Sequence, residues 1–98
     1  MADGADELTG FEWDDININH LGERGVSDRE VEQLLAERHI LAPNRRHPER
    51  RILIGTTHGG RTIVVSIEPT RHDGIWRPIT ARDAEPEEQL QLERRLGR

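Results

Sequence analysis

Apolar positions alternate most regularly from Arg50 to Ser66, RRILIGTTHGGRTIVVS, where two β-branched runs flank Gly59-Gly60. A glycine pair between strand-like runs is a strong hairpin signal. With the two glycines as the loop, His58 faces Arg61, Thr56 faces Ile63, Ile54 faces Val65 and Ile52 faces Ile67. A four-residue loop keeps these faces, and only an odd loop reverses them, because side chains alternate with period two. The even loop predicts a hairpin over residues 51–67 with Ile52, Ile54, Ile63, Val65 and Ile67 buried on one face. The other face, Leu53, Gly55, Thr62, Val64 and Ser66, is half polar.

The apolar face needs a cover, and the segment 27–38 provides one. Ser27-Asp28-Arg29-Glu30 reads as a capping box, and Val26 can staple onto Val31. Val31, Leu34, Leu35 and the stem of Arg38 form one stripe at helical spacing, so this helix is expected over the hairpin, ending near His39. Before it, Phe11-Glu12-Trp13 alternates like a short edge strand. Asp14 or Asp15 caps a first helix to Arg24, with Ile18 and Leu21 on one side and Gly25 past its end.

After the second helix, Ala42 to Pro48 reads as a basic loop bounded by prolines. Pro69 to Gly74 is a polar connection, and Ile75 to Arg82 a further strand in which Pro78 signals an edge or a bulge. Returning antiparallel, it sets Ile75 opposite Ile67 or Glu68, and Arg61 beside Ala81 or Arg82. Glu85-Pro86-Glu87-Glu88 opens a C-terminal helix carrying Leu92 and Leu96 and closing on Arg94, Arg95 and Arg98. The expected architecture is α+β: a small antiparallel sheet of three to four strands with two N-terminal helices and one C-terminal helix.

Composition narrows this picture. The 98 residues are 33% hydrophobic and 34% charged, with Phe11, Trp13 and Trp76 the only aromatics, so one domain with a small aliphatic core is expected. Residues 1–10 read as a flexible acidic start without the apolar run of a signal peptide, and residues 11–98 as the domain. The lack of cysteine excludes disulfides and thiolate zinc and suits a cytoplasmic protein, and no apolar run reaches membrane-spanning length. His20, His39, His47, His58 and His72 fall on different elements, so no metal or cofactor is expected.

Net charge is −5, but it is segregated: residues 1–15 carry −6, residues 41–82 carry +5, and every basic residue is arginine. Arginine's planar fork suits phosphate, while a GC-rich coding sequence is the plainer origin of its exclusive use.

In this order the landmarks resemble the BrnT family, the toxin half of a bacterial type II toxin–antitoxin pair. Phe11-Glu12-Trp13-Asp14 is similar to its opening motif, and Gly25-Val26-Ser27 with Glu30 to its helix start. Glu49-Arg50 with Gly55, then Gly60-Arg61, resemble its central hairpin, and Arg77 with Thr80-Ala81-Arg82 its closing motif. The resemblance covers about residues 11–84. It implies a RelE-like fold, metal-independent endoribonuclease activity on RNA, and a cognate antitoxin through which the toxin reaches DNA indirectly. A second reading is a non-catalytic protein-binding module that keeps the fold and partner surface. Glu23-Arg24, where the family usually has a basic residue and a histidine, belongs with that reading.

Metal-free RNA cleavage needs a base for the 2′-hydroxyl, positive charge for the phosphorane and an acid for the leaving oxygen. Arg61 and Arg82, gathered at one end of the sheet, are candidates for the charge, and His58 beside them for the proton. Arg77, Glu49 and Arg50 complete the candidate set. Each has a plainer role: His58 as an exposed tip, Arg61 and Arg82 as surface ion-pair partners, Glu49-Arg50 as a salt bridge at a strand entry. Trp13 and Trp76 either stack on bases or pack the core.

Overall fold

The computed structural model describes residues 7–97. Its elements in chain order are β1 (Gly10–Phe11), α1 (Asp15–Glu23), α2 (Asp28–Ala36), β2 (His39–Pro43), β3 (Arg51–Thr56), β4 (Thr62–Pro69), β5 (Ile75–Asp83) and α3 (Pro86–Arg95). The strands form one mixed sheet in the order β1-β5-β4-β3-β2, with β1 parallel to β5 and the rest antiparallel.

Both N-terminal helices start as their sequences dictate. Asp14 Oδ1 accepts from the N–H groups of Ile16 and Asn17 at 3.0 and 3.1 Å, and Asn17 Oδ1 accepts from the Asp14 N–H at 2.9 Å. Asn17 is buried, and its Nδ2 also donates to the carbonyls of Glu12 and Pro78, tying α1 to β5. Gly25, at φ +80°, takes the left-handed turn beyond α1 that L residues avoid. At α2, Ser27 Oγ accepts from the Glu30 N–H at 3.1 Å and Glu30 Oε1 from the Ser27 N–H at 3.0 Å. Val26, Val31 and Leu34 are buried, whereas Leu35 is half-buried.

The hairpin departs from the even-loop expectation. Thr56 pairs with Thr62, Leu53 with Val65 and Arg51 with Ile67, an odd loop. The turn is closed by the Thr57 N–H donating to the Arg61 carbonyl at 2.8 Å, with Gly60 at φ +88°. A three-residue loop ending in a left-handed glycine competes well with the two-residue turn. The faces are accordingly reversed on β3. Leu53, not Ile52 or Ile54, joins Ile63, Val65 and Ile67 beneath α1 and α2, together with Leu21, Val31, Leu34 and Trp76. Ile54 and Val64 are buried on the opposite face with Ile40 and Leu92, under α3, with Ile52 half-buried beside them. Each such aliphatic burial is worth about 1.5–3 kcal/mol. With a cover on both faces, apolar residues of both parities find a core.

The sheet has five strands rather than three to four. The fifth arises because α2 ends at Ala36 and the stretch expected as helix end and loop forms β2, pairing Ile40 with Ile54 and Ala42 with Ile52. Pro43, which has no N–H, comes last. Gly55 permits this packing: a Cβ there would lie 3.0 Å from Leu34 Cδ2 and 3.1 Å from the Arg38 carbonyl oxygen.

The β4–β5 register also differs from expectation. Trp76 faces Pro69 and Arg77 faces Glu68, so Ile75 lies beyond both Ile67 and Glu68. The bulge signalled by Pro78 is present: Ile67 pairs with Pro78 and Ser66 with Thr80, leaving Ile79 unpaired. Arg98, expected to close the C-terminal helix, and residues 1–6, expected to be flexible, lie outside the described residues. Within the rest of that expected segment, the Thr9 N–H donates to the Gly74 carbonyl at 2.8 Å and the Glu7 carbonyl accepts from Trp76 Nε1 at 2.8 Å.

Candidate functional site

Arg61 follows the hairpin turn and Arg82 lies near the end of β5, and the structure brings them to opposite sides of Asp83. Arg61 Nε donates to Asp83 Oδ1 at 2.6 Å, and Arg82 Nη1 donates to the Asp83 carbonyl at 3.2 Å. Neither guanidinium is idle. Arg61 Nη1 donates to the Gly25 carbonyl at 2.7 Å and to both Glu30 oxygens at 3.2 Å, joining the α1–α2 turn to the sheet. Arg82 grips Glu88 of α3 with two parallel bonds, 2.8 Å from Nη1 to Oε1 and 2.6 Å from Nη2 to Oε2.

These contacts set the electrostatics. The hydrogen bond that Arg61 donates to Asp83 raises the Arg61 pKa further, as the one to Glu88 does for Arg82, so both stay charged. Glu88 is held below the usual glutamate value, first by Arg82 and then by the Glu85 N–H. Glu30 is lowered first by its capping bond from Ser27 and then by Arg61. Two guanidinium groups thus meet three carboxylates, Glu30, Asp83 and Glu88, leaving the cluster one negative charge in excess.

His58 lies on the same turn but looks elsewhere. Its N–H donates to Gln33 Oε1 at 2.9 Å, and its Nε2 is 3.1 Å from Glu37 Oε2 near the end of α2. Among the described residues, no hydrogen bond or ion pair joins it to Arg61 or Arg82.

Arg77, Glu49 and Arg50 form a second cluster at the other end of the sheet. Arg77 is five residues from Arg82 along β5, about 17 Å at ~3.3 Å per residue. It is bound to Asp14 at 3.0 Å and Glu12 at 3.6 Å. Its hydrogen bond lowers the Asp14 pKa and raises its own. Arg50 Nε lies 3.8 Å from Glu49 and 3.6 Å from Glu68, the cross-strand neighbour of Arg77, without a hydrogen bond of its own. Trp76 is buried in the core. Trp13 is half-buried against Phe11, ring centroids 6.0 Å apart, and donates Nε1 to Glu32 at 2.8 Å.

Sequence reasoning did not single out Asp83, Glu30 or Glu88 as parts of this cluster. Adjacency to Arg82 was the available signal for Asp83, and a six-residue spacing for Glu88. Glu30 was legible as a capping residue, but nothing local pairs it with an arginine 31 positions away. Among the described residues, no group of three His, Asp or Glu side chains is arranged to hold a metal ion. No described helix is long and apolar enough to cross a membrane.

The class these elements define is a small α+β fold of three helices on a five-stranded mixed sheet. Among solved structures it is similar to the 1.1 Å crystal structure of the Brucella abortus ribonuclease toxin BrnT. The TM-score is 0.59 at 20% sequence identity, and the match covers 80% of this chain and 99% of that one. The fold is therefore BrnT-like. No protein-family model and no curated protein sequence matches the chain.

Proposed function

We propose that the chain is a ribonuclease toxin of the BrnT kind, cleaving RNA at the Arg61–Arg82 end of the sheet and neutralised by a cognate antitoxin. The observation that carries this reading is the fold match over 99% of the length of a ribonuclease toxin. The grip of Arg82 on Glu88 supports it chemically: a guanidinium that holds two carboxylate oxygens offers a phosphate the same two donors. In this reading a phosphate replaces Glu88 on Arg82, which stabilises the phosphorane as charge develops. Arg61 adds positive charge across Asp83, and His58 moves the proton once the loop brings it to the substrate. Arg77 and Arg50, with Glu49, hold the flanking strand of RNA. The chemistry asks for no metal, and DNA is reached only through the antitoxin.

One observation favours the second reading, a non-catalytic module that binds a partner through the same face: the excess of carboxylates at the arginine cluster. Purified chain, free of partner, incubated with total RNA in EDTA separates the two. Cleavage is expected. Intact RNA with the fold confirmed by circular dichroism would leave the binding module standing.

A further inference from the structure

β2 is the outer strand on the side away from β1, and half of its main chain is unused by the sheet. Antiparallel pairs alternate between those that exchange hydrogen bonds and those that do not. Thr57 bonds Arg61 across the turn. Counting back through the unshifted register, Gly55, Leu53 and Arg51 direct their N–H and C=O groups toward β4. Those of Ile54 and Ile52 consequently face Ile40 and Ala42. The N–H and C=O groups of His39 and Leu41, with the carbonyl of Pro43, point outward from the sheet.

Along this edge runs an open groove of about 890 Å³, walled by Leu41, Pro43, Arg45, Pro48, Arg95 and Leu96. In a chain of net charge −5, none of the described residues lining it is Asp or Glu. Arg45 and Arg95 are exposed. The loop bearing Arg45 is shaped by Asn44, whose Oδ1 accepts from the N–H groups of Arg46 and His47 at 3.1 and 3.0 Å. Its Nδ2 reaches Ser66 Oγ at 3.4 Å.

We infer that the β2 edge is a docking site for an extended acidic segment of a partner protein, which adds as a sixth strand while Arg45 and Arg95 pair with its carboxylates. Outward main-chain groups at strand spacing match a peptide repeat, and the arginines supply the charge complementarity. Among the described residues lining the groove none is Phe, Tyr or Trp and His39 is the one aromatic ring, so it lacks the run of stacked aromatics that single-stranded nucleic acid uses. The inference is independent of the ribonuclease reading, since it uses neither Arg61 nor Arg82.

The probe is a fluorescein-labelled, end-blocked octapeptide of alternating glutamate and valine, titrated by anisotropy at low salt. Saturable binding is expected, with His39 and Leu41 amides slowing in hydrogen exchange. Affinity should fall about tenfold or more in an Arg45→Glu, Arg95→Glu double variant, equivalent to ~1.4 kcal/mol. It should fall as far for the same peptide methylated on alternate backbone nitrogens, which keeps every charge but cannot pair as a strand. Equal binding of the methylated peptide, or of a lysine–valine counterpart, would overturn the proposal. So would tighter binding of a short oligouridylate that the double variant abolishes, or a homodimer that the double variant dissociates. Absence of saturable peptide binding would leave the arginines as guards against edge aggregation and would also overturn it.

Discussion

The arginines at the hairpin end of the sheet and those along the β2 edge share a side chain and differ in everything around it. Arg61 and Arg82 are held at distances down to 2.6 Å by carboxylates from α2, β5 and α3. Arg45 and Arg95 border a groove without a described acid. The first pair gains order and gives up net positive potential; the second keeps its potential and stays unconstrained. Position on a preorganised frame suits chemistry, whereas exposed charge along an open edge suits association. A count of arginines cannot distinguish these uses, but the carboxylates beside them can.

The comparison breaks most visibly in turnover. Arg82→Ala should lower RNA cleavage by about 10²-fold, the scale of losing one preorganised transition-state donor. Glu88→Ala should move the other way, raising affinity for RNA in a filter-binding assay, because it removes the anion already seated on Arg82. If Glu88→Ala weakens RNA binding, the clamp is not competing with phosphate.

Stability sharpens the contrast next. Arg61→Ala should cost about 1–3 kcal/mol in urea denaturation, since it removes the bonds to Glu30, Asp83 and the Gly25 carbonyl at once, and hydrogen bonds to charged groups are among the stronger ones. Arg45→Ala should stay within about 0.5 kcal/mol, as for exposed positions generally. Equal costs would erase the distinction. Ser27→Ala, which loosens the cap that also orients Glu30 toward Arg61, should cost about 1 kcal/mol.

The smallest effect is the pH dependence. Glu30 and Glu88 have lowered folded-state pKa values. Their stabilisation is therefore fully present above the unfolded glutamate value of about 4.3 and is lost as pH falls through the lower folded values. Urea midpoints should be flat near neutrality and decline in the acid range. Glu88→Gln should shrink that decline, and an unchanged acid limb would place the linkage on other carboxylates.

Much of the frame is legible in local chemistry. The Ser27–Glu30 capping box, the aspartate cap of α1, the α2 stripe, the glycine beyond α1 and the bulge at Pro78 follow from residues within a few positions of one another. Loop parity was not legible, because Ile52, Leu53, Ile54 and Val64, Val65 offer apolar side chains to either face. β2 was hidden for a related reason. Five residues ending in proline carry little strand signal until the outer edge of β3 is known to need a partner. For the candidate cluster, Arg61 and Arg82 were legible as residues near one end of the sheet but not by register, since Arg82 pairs with Val64 and Asp83 with Ile63. The partners of Arg61, Glu30 and Asp83, arrive from 31 and 22 positions away. Only tertiary structure makes those neighbours.

The parallel pairing of β1 with β5 carries a consequence for synthesis. Gly10 and Phe11 meet Ile75 and Trp76, and the Glu7 carbonyl waits for the Trp76 indole, 69 residues later. Residues up to 74 supply α1, α2 and the strands β2, β3 and β4, but one side of β4 then has no partner and β1 has no neighbour. Completion of the sheet, and with it the Arg61–Asp83–Arg82 cluster, waits for β5, residues 75–83. Whatever the cluster does, it cannot do it while the ribosome is still making the protein's first three strands.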